Sequence, residues 1–200
     1  MKKNILITDA ETDIGKALAA VFTREGHSVF IHDPTRETEI PYADYLIDTT
    51  DFRDPSDDFT LEDGIDGGII ERVFRENVLR SMALLEKYLP LLDAGEGKRL
   101  VYLSSAQASI NGTRAVSGFG YNMSKAALHQ FIQLTRNKLA PKGYTFRVFD
   151  PMAGEVTPQA AAEAAYNYIT RRRGTENHDP LRDDEENLVM RDAMGRQYAW

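Results

Sequence analysis

Residues 4–26 read "NILITDAETDIGKALAAVFTREG". Asn4 to Thr8 is an apolar run of strand length, and Ile14, Ala17, Leu18 and Val21 recur at the spacing of a helix stripe that Gly26 stops. Strand, tight loop and helix in this order open an α/β domain whose loop and helix N-terminus are suited to a phosphate group. Only one glycine, Gly15, is present. Asp9 and Asp13 stand where such loops usually carry their first two glycines. Aspartate tolerates left-handed backbone better than most residues, so the turn survives. The charge is harder to accommodate: a carboxylate about 4 Å from a phosphate charge costs on the order of 1 to 4 kcal/mol. Asp13 is also placed to cap the helix with its own carboxylate, where the phosphate would sit.

Working outward, strand-like and helix-like segments alternate, which predicts a mostly parallel sheet with helices on both faces. "HSVFIHD" (27–33) and "DYLID" (44–48) read as strands, followed by the polar loop "TTDFRDPSDDFTLEDG". A long helix is expected from about Ile65 to Leu92, with Ile69, Val73, Val78, Met82 and Leu85 inward. "KRLVYLSS" (98–105) is a strand, and "YNMSKAALHQFIQLTRNKLA" (121–140) a helix with Ala127, Leu128, Phe131, Ile132 and Leu134 on its apolar side. "YTFRVFD" (144–150), "PQAAAEAAYNYITRRR" (158–173) and "NLVMRD" (187–192) read as strand, helix and last strand.

Two hundred residues, 42% hydrophobic and 28% charged, suit one domain over 1–200. A net charge of -7 argues against a nucleic-acid partner, and Arg171–Arg173 reads as a solvated helix end. The acidic run Asp183–Glu186 reads as a solvated loop. With no cysteine there is neither a disulfide nor a thiolate nucleophile, and His27, His32, His129 and His178 lack metal-ligand spacing. The apolar stretch of the N-terminus is too short for a signal peptide and no segment is long enough to span a membrane, so a cytoplasmic protein is expected.

The order of elements, together with "YNMSK", resembles the short-chain dehydrogenase/reductase family over nearly the whole chain. The resemblance implies a Rossmann-like, doubly wound fold and a catalytic set of Asn77, Ser105, Tyr121 and Lys125. Residues four apart share a helix face, so Lys125 is expected beside Tyr121, lowering the phenol's pKa from about 10 and fitting it for proton transfer. In the family the lysine also holds the nicotinamide ribose, the serine positions the substrate oxygen, and the asparagine supports a relay water. Ser105 is preferred to Ser104, although Tyr121 follows it by 16 positions, a few more than the family commonly shows. Thr8, Asp13, Ile14, Gly15, Asp33, Lys125 and Thr157 are the implied cofactor contacts. Asp33 would face an adenosine ribose and favour NAD over NADP; alternatively it forms the turn before Pro34.

Three departures from the resembled pattern stand beside these matches. One is the loop with Asp9 and Asp13. Another is the single strand "DYLID" where the family has two, assigned here to the central position because only an edge strand can be lost cheaply. The sheet should then have about six strands, with Asp48, Thr49 and Thr50 in place of the family's Asn-Asn-Ala-Gly segment. The third is the missing substrate lid: Met152 follows Pro151 where a glycine is expected, and Thr157 and Pro158 start a helix almost at once. The implied activity is weak NAD-dependent hydride transfer between an alcohol and a carbonyl by a homodimer or homotetramer. The alternative is a pseudoenzyme that keeps the scaffold for oligomerisation or partner binding.

Overall fold

A computed structural model describes residues 1–36, 38–171 and 188–198. Strands β1 (Asn4–Ile7), β2 (Ser28–Ile31), β3 (Tyr45–Asp48), β4 (Arg99–Leu103), β5 (Thr145–Asp150), β6 (Met190–Asp192) and β7 (Gln197–Tyr198) form one sheet in the order β2-β1-β3-β4-β5-β6-β7. All neighbours are parallel except β6 and β7. The "DYLID" strand is therefore central, pairing Leu46 with Leu6 on one side and with Leu100 on the other. Among the described residues the count is seven rather than six, because a two-residue antiparallel strand, too short to leave a periodic signal, returns on β6.

Helices α1 (Asp13–Arg24) and α5 (Pro158–Thr170) cover one face of the sheet, packing on Ile5, Ile7, Ile47, Val101 and Phe149. The opposite face, with Leu6, Leu46, Leu100 and Val148, carries α3 (Arg80–Ala94) and α4 (Phe119–Leu139), and α2 (Gly67–Phe74) packs on α4. The expected helix over 65–92 is thus α2 and α3 joined by a π-helical turn at Arg75–Leu79, started by Asp66, whose carboxylate accepts from Gly68 and Ile69 N–H. Met82 and Leu134, expected inward, are 43% and 58% exposed. The turn at 75–79 widens the helix and shifts the angular register of α3 relative to α2, and Leu134 lies off the face of α4 that buries Leu128, Ile132 and Leu139. Arg172, Arg173, His178, the run Asp183–Glu186 and Asn187 lie outside the described residues.

Candidate active site

In an open α/β sheet the carboxyl ends of the strands meet ligands where the chain order reverses, here between β1 and β3. That edge carries Thr8, Asp48 to Arg53, Ser104, Ser105 and Asp150.

At the β1 end the loop satisfies itself. Thr8 is buried; its hydroxyl donates to Asp48 Oδ1 (3.0 Å) and accepts from Thr49 N–H (3.0 Å), which ties the loop to β3. Asp9 N–H donates to Thr49 Oγ1 (3.0 Å), and Asp9 Oδ1 accepts from Glu11 N–H (2.9 Å). The cap of α1 is Thr12, whose Oγ1 accepts from Gly15 N–H at 3.2 Å. This corrects the expectation for Asp13. It is the first helical residue, solvent-exposed, because the hydroxyl one position earlier already has the extended backbone of a cap. Gly15 is required: a Cβ there would stand 2.0 Å from Asp9 O. Ile14 is half-buried against the α1–α5 core.

The other implied contacts are also engaged locally. Asp33 Oδ1 accepts from Thr35 N–H (2.8 Å) and Thr35 Oγ1 (2.6 Å), and Oδ2 pairs with Arg36 Nε (2.8 Å). These bonds hold its carboxyl below the usual range, the Thr35 hydroxyl contributing most. Thr157 caps α5 by accepting from Ala160 N–H at 3.3 Å.

The centre of the site is built by α4 and the loop after β3. Tyr121 and Lys125, one helical turn apart on α4, are both buried. Tyr121 Oη donates to Asp51 Oδ1 at 2.7 Å, and Lys125 Nζ lies 3.0 Å from the same oxygen. The ammonium also donates to Thr50 O (2.8 Å) and Leu103 O (3.5 Å), so all three of its protons are directed at acceptors. Arg53 lies flat on Tyr121, its guanidinium carbon 3.7 Å from the ring centroid and Nη2 donating to Tyr121 Oη at 2.6 Å.

This arrangement overturns the expected tuning of the phenol. Burial first, then the Asp51 charge, push Tyr121 well above its ordinary value, against the opposing charge of Arg53. Lys125 lies 3.0 Å from Asp51 Oδ1, so the ammonium reaches the phenol together with the carboxylate it pairs with. Asp51 itself is held below the usual carboxylate range: burial works against this, but Lys125, Tyr121 and Arg53 outweigh it. Neither Asp51 nor Arg53 belongs to the set read from sequence, and "TTDFRD" has no periodicity that would mark them.

Asn77 lies in the π-helical turn, fully buried. Its Oδ1 accepts from Phe52 N–H (2.8 Å), and its Nδ2 donates to Phe52 O (2.9 Å) and Ser124 Oγ (3.0 Å). Its side chain pins the loop that carries Asp51 and Arg53. The two serines separate. Ser104 Oγ turns to His129 Nε2 at 2.7 Å, whereas Ser105 Oγ accepts from Gln107 N–H at 3.2 Å and lines a cavity together with Asp51.

Two cavities adjoin this centre. One of about 510 Å³ is lined by Asp51, Ser105, Asp150, Met152 and Glu155 among others, and one of about 230 Å³ by Tyr121, Asp57 and Asn122 among others. Arg53 and Gln107 line both, with Arg53 Nη1 donating to Gln107 Oε1 at 3.3 Å. Met152 forms part of the wall with φ 53°, keeping a glycine-like backbone with a side chain present. Among the described residues no cluster of His, Asp or Glu has metal-binding geometry.

Comparison with known proteins agrees with this architecture. The chain superimposes over its full length, and over all of the other chain, on a candidate short-chain dehydrogenase/reductase of Burkholderia multivorans with bound NADP (TM-score 0.77, 17% identity). The same holds for the carbonyl reductase Sniffer of D. melanogaster (TM-score 0.78, 15% identity). The chain has the short-chain dehydrogenase/reductase fold. An NADH-dependent reductase complexed with NAD matches 84% of this chain and 88% of its own, at 21% identity and TM-score 0.67. In sequence, an uncharacterized oxidoreductase of Saccharomyces cerevisiae is 32% identical over 78 residues, 39% of this chain and 30% of that protein. No protein-family model matches.

The donor set fits an oxygen ligand of a nicotinamide site in kind. Tyr121 Oη and Lys125 Nζ converge on one oxygen, Asp51 Oδ1, which stands in for a ligand hydroxyl or carbonyl oxygen.

Proposed function

We propose that this chain is an oxidoreductase of the short-chain dehydrogenase/reductase type that uses NAD to interconvert an alcohol and a carbonyl compound, weakly. The observation that carries the reading is the convergence of Tyr121 Oη (2.7 Å) and Lys125 Nζ (3.0 Å) on a single oxygen at the carboxyl edge of the sheet. NAD would supply the hydride. Tyr121 would hold the substrate oxygen and exchange its proton at Oη, Ser105 would orient that oxygen, Lys125 would grip the ribose, and Asn77 would fix the loop beneath them. Gly15, Thr8 and Ile14 would shape the phosphate loop around the helix N-terminus, and Asp33 would disfavour a 2′-phosphate.

A second reading, a scaffold without redox activity, is favoured by a specific observation: the oxygen gripped by Tyr121 and Lys125 belongs to the chain itself. The experiment that separates the two is calorimetric titration of NADH and NADPH, followed by turnover assays on simple alcohols and carbonyls. Binding of NADH ahead of NADPH with turnover that Tyr121→Phe abolishes supports the oxidoreductase. Binding of neither, with an intact oligomer, supports the scaffold.

A further inference from the structure

The oxygen site between Tyr121 and Lys125 is filled from within. Asp51 Oδ1 takes the Tyr121 hydroxyl proton and faces Lys125 Nζ, and Arg53, two residues on, lies across Tyr121. Arg53 and Gln107 together separate the 510 Å³ cavity from the 230 Å³ cavity that reaches the tyrosine ring. The segment is not adrift. Asn77 holds the main chain of Phe52, between Asp51 and Arg53, through both its N–H and its carbonyl. Lys125 is fully buried, and an ammonium in that position needs a compensating anion.

We propose that Tyr121, Lys125 and Arg53 form a carboxylate-binding site whose resident ligand is Asp51, and that this internal ligand keeps the nicotinamide end of the site closed. The proposal rests on the oxidoreductase reading only for the identity of the excluded ligand; the carboxylate site stands without it. A phenol and two cations address the carboxylate, Tyr121 and Lys125 at Oδ1 and Arg53 with Nε 3.8 Å from Oδ2, which is the pattern by which proteins take small organic acids. Removing the Asp51 side chain should therefore leave a hole with the preference of the missing group. A free formate ion can enter that hole, and so can a ribose or substrate oxygen.

The test uses the full chain as wild type, Asp51→Gly and Asp51→Asn. Thermal melting is monitored with sodium formate and with sodium chloride at the same ionic strength, and NADH binding is measured separately by calorimetry. Asp51→Gly should melt below wild type, formate but not chloride should raise its midpoint, and wild type should respond equally to both salts. NADH affinity should rise at least about tenfold in Asp51→Gly, because a ribose oxygen no longer has to displace an internal ligand from Tyr121 and Lys125 before it can bind. If the glycine variant does not fold, Asp51→Asn, which keeps the shape and loses the charge, should show the same direction of change in NADH affinity. Folded variants that neither respond specifically to formate nor gain NADH affinity would overturn the proposal. A formate response and a gain in NADH affinity without any turnover would leave the proposal standing and remove the oxidoreductase reading instead.

Discussion

At the scale of single residues, the question is where the Tyr121 proton sits. It points at Asp51, and burial together with that carboxylate hold the phenol well above its ordinary value, so Tyr121 stays a neutral donor at neutral pH. Any turnover should therefore vanish in Tyr121→Phe, measured as kcat for carbonyl reduction, while the chain still folds, with a melting temperature lowered by the loss of the bonds to Asp51 and Arg53. His129 gives a second handle. Its ring accepts or donates at Ser104 Oγ, and burial, then the charge of Lys125, lowers its pKa from 6.5 to about 4. Because the folded value is depressed, the unfolded chain binds the extra proton between these limits. Stability is complete above about pH 6.5 and falls as the pH drops towards about 4, by on the order of 3 kcal/mol from this residue. Urea midpoints measured from pH 7 to 4 should show this slope, and His129→Gln, which keeps a partner for Ser104 without titrating, should flatten it. The slope will not vanish, since burial lowers His27 and His32 as well. The Tyr–Lys pair is legible in the sequence because four-residue spacing on a helix is local information. Asp51 is not, since it meets Tyr121 from 70 positions away in a loop whose sequence carries no period.

At the scale of elements, the loop between β1 and α1 has replaced glycine freedom with side-chain bonds of its own. Thr12, not Asp13, closes the helix, so Thr12→Ala should lower stability by about 1 kcal/mol, whereas Asp13→Ala should lose only the smaller helix-dipole contribution of a few tenths. Chemical denaturation of the two variants checks the order, and a larger loss from Asp13→Ala would return the cap to that residue. Gly15→Ala should cost more than either, about 1 to 3 kcal/mol, because the added methyl meets the backbone oxygen of Asp9 rather than a side chain that can swing away. Alternating apolar runs make most strands and helices readable from sequence. Features set by length or by backbone alone escape such a reading. The π-helical turn at Arg75–Leu79 has no compositional mark, and β7 is two residues long. The cap is ambiguous in sequence because Thr12 and Asp13 are both good capping types, and only the extended backbone at Thr12 decides between them.

At the scale of the whole molecule, the position of "DYLID" comes from an argument about pairing rather than from its own residues. A missing central strand would leave the N–H and carbonyl groups of β1 and β4 unpaired, while a missing edge strand leaves β2 as the new edge. The helices that cover the sheet also carry apolar side chains on their outer sides. Leu79 (59%), Met82 (43%), Met123 (42%) and Leu134 (58%) are exposed on the π-helical turn, α3 and α4, and the turn and α4 pack against each other. Single exposed apolar residues need no explanation, but a self-association surface would have to cover such side chains. A second copy of the chain is the expected partner, giving a homodimer or homotetramer. Light scattering during gel filtration should give a mass at least twice that of the 22.5 kDa chain. Placing a charge at the centre of such a contact leaves it unpaired and desolvated in the assembly and solvated in the monomer. Leu134→Glu combined with Met82→Glu should therefore shift the mass to that of the monomer without loss of helical circular dichroism, since neither wild-type side chain is in the core. An assembly unchanged by both substitutions would place the contact on another face, and a wild-type mass of one chain would mean that these helices face solvent.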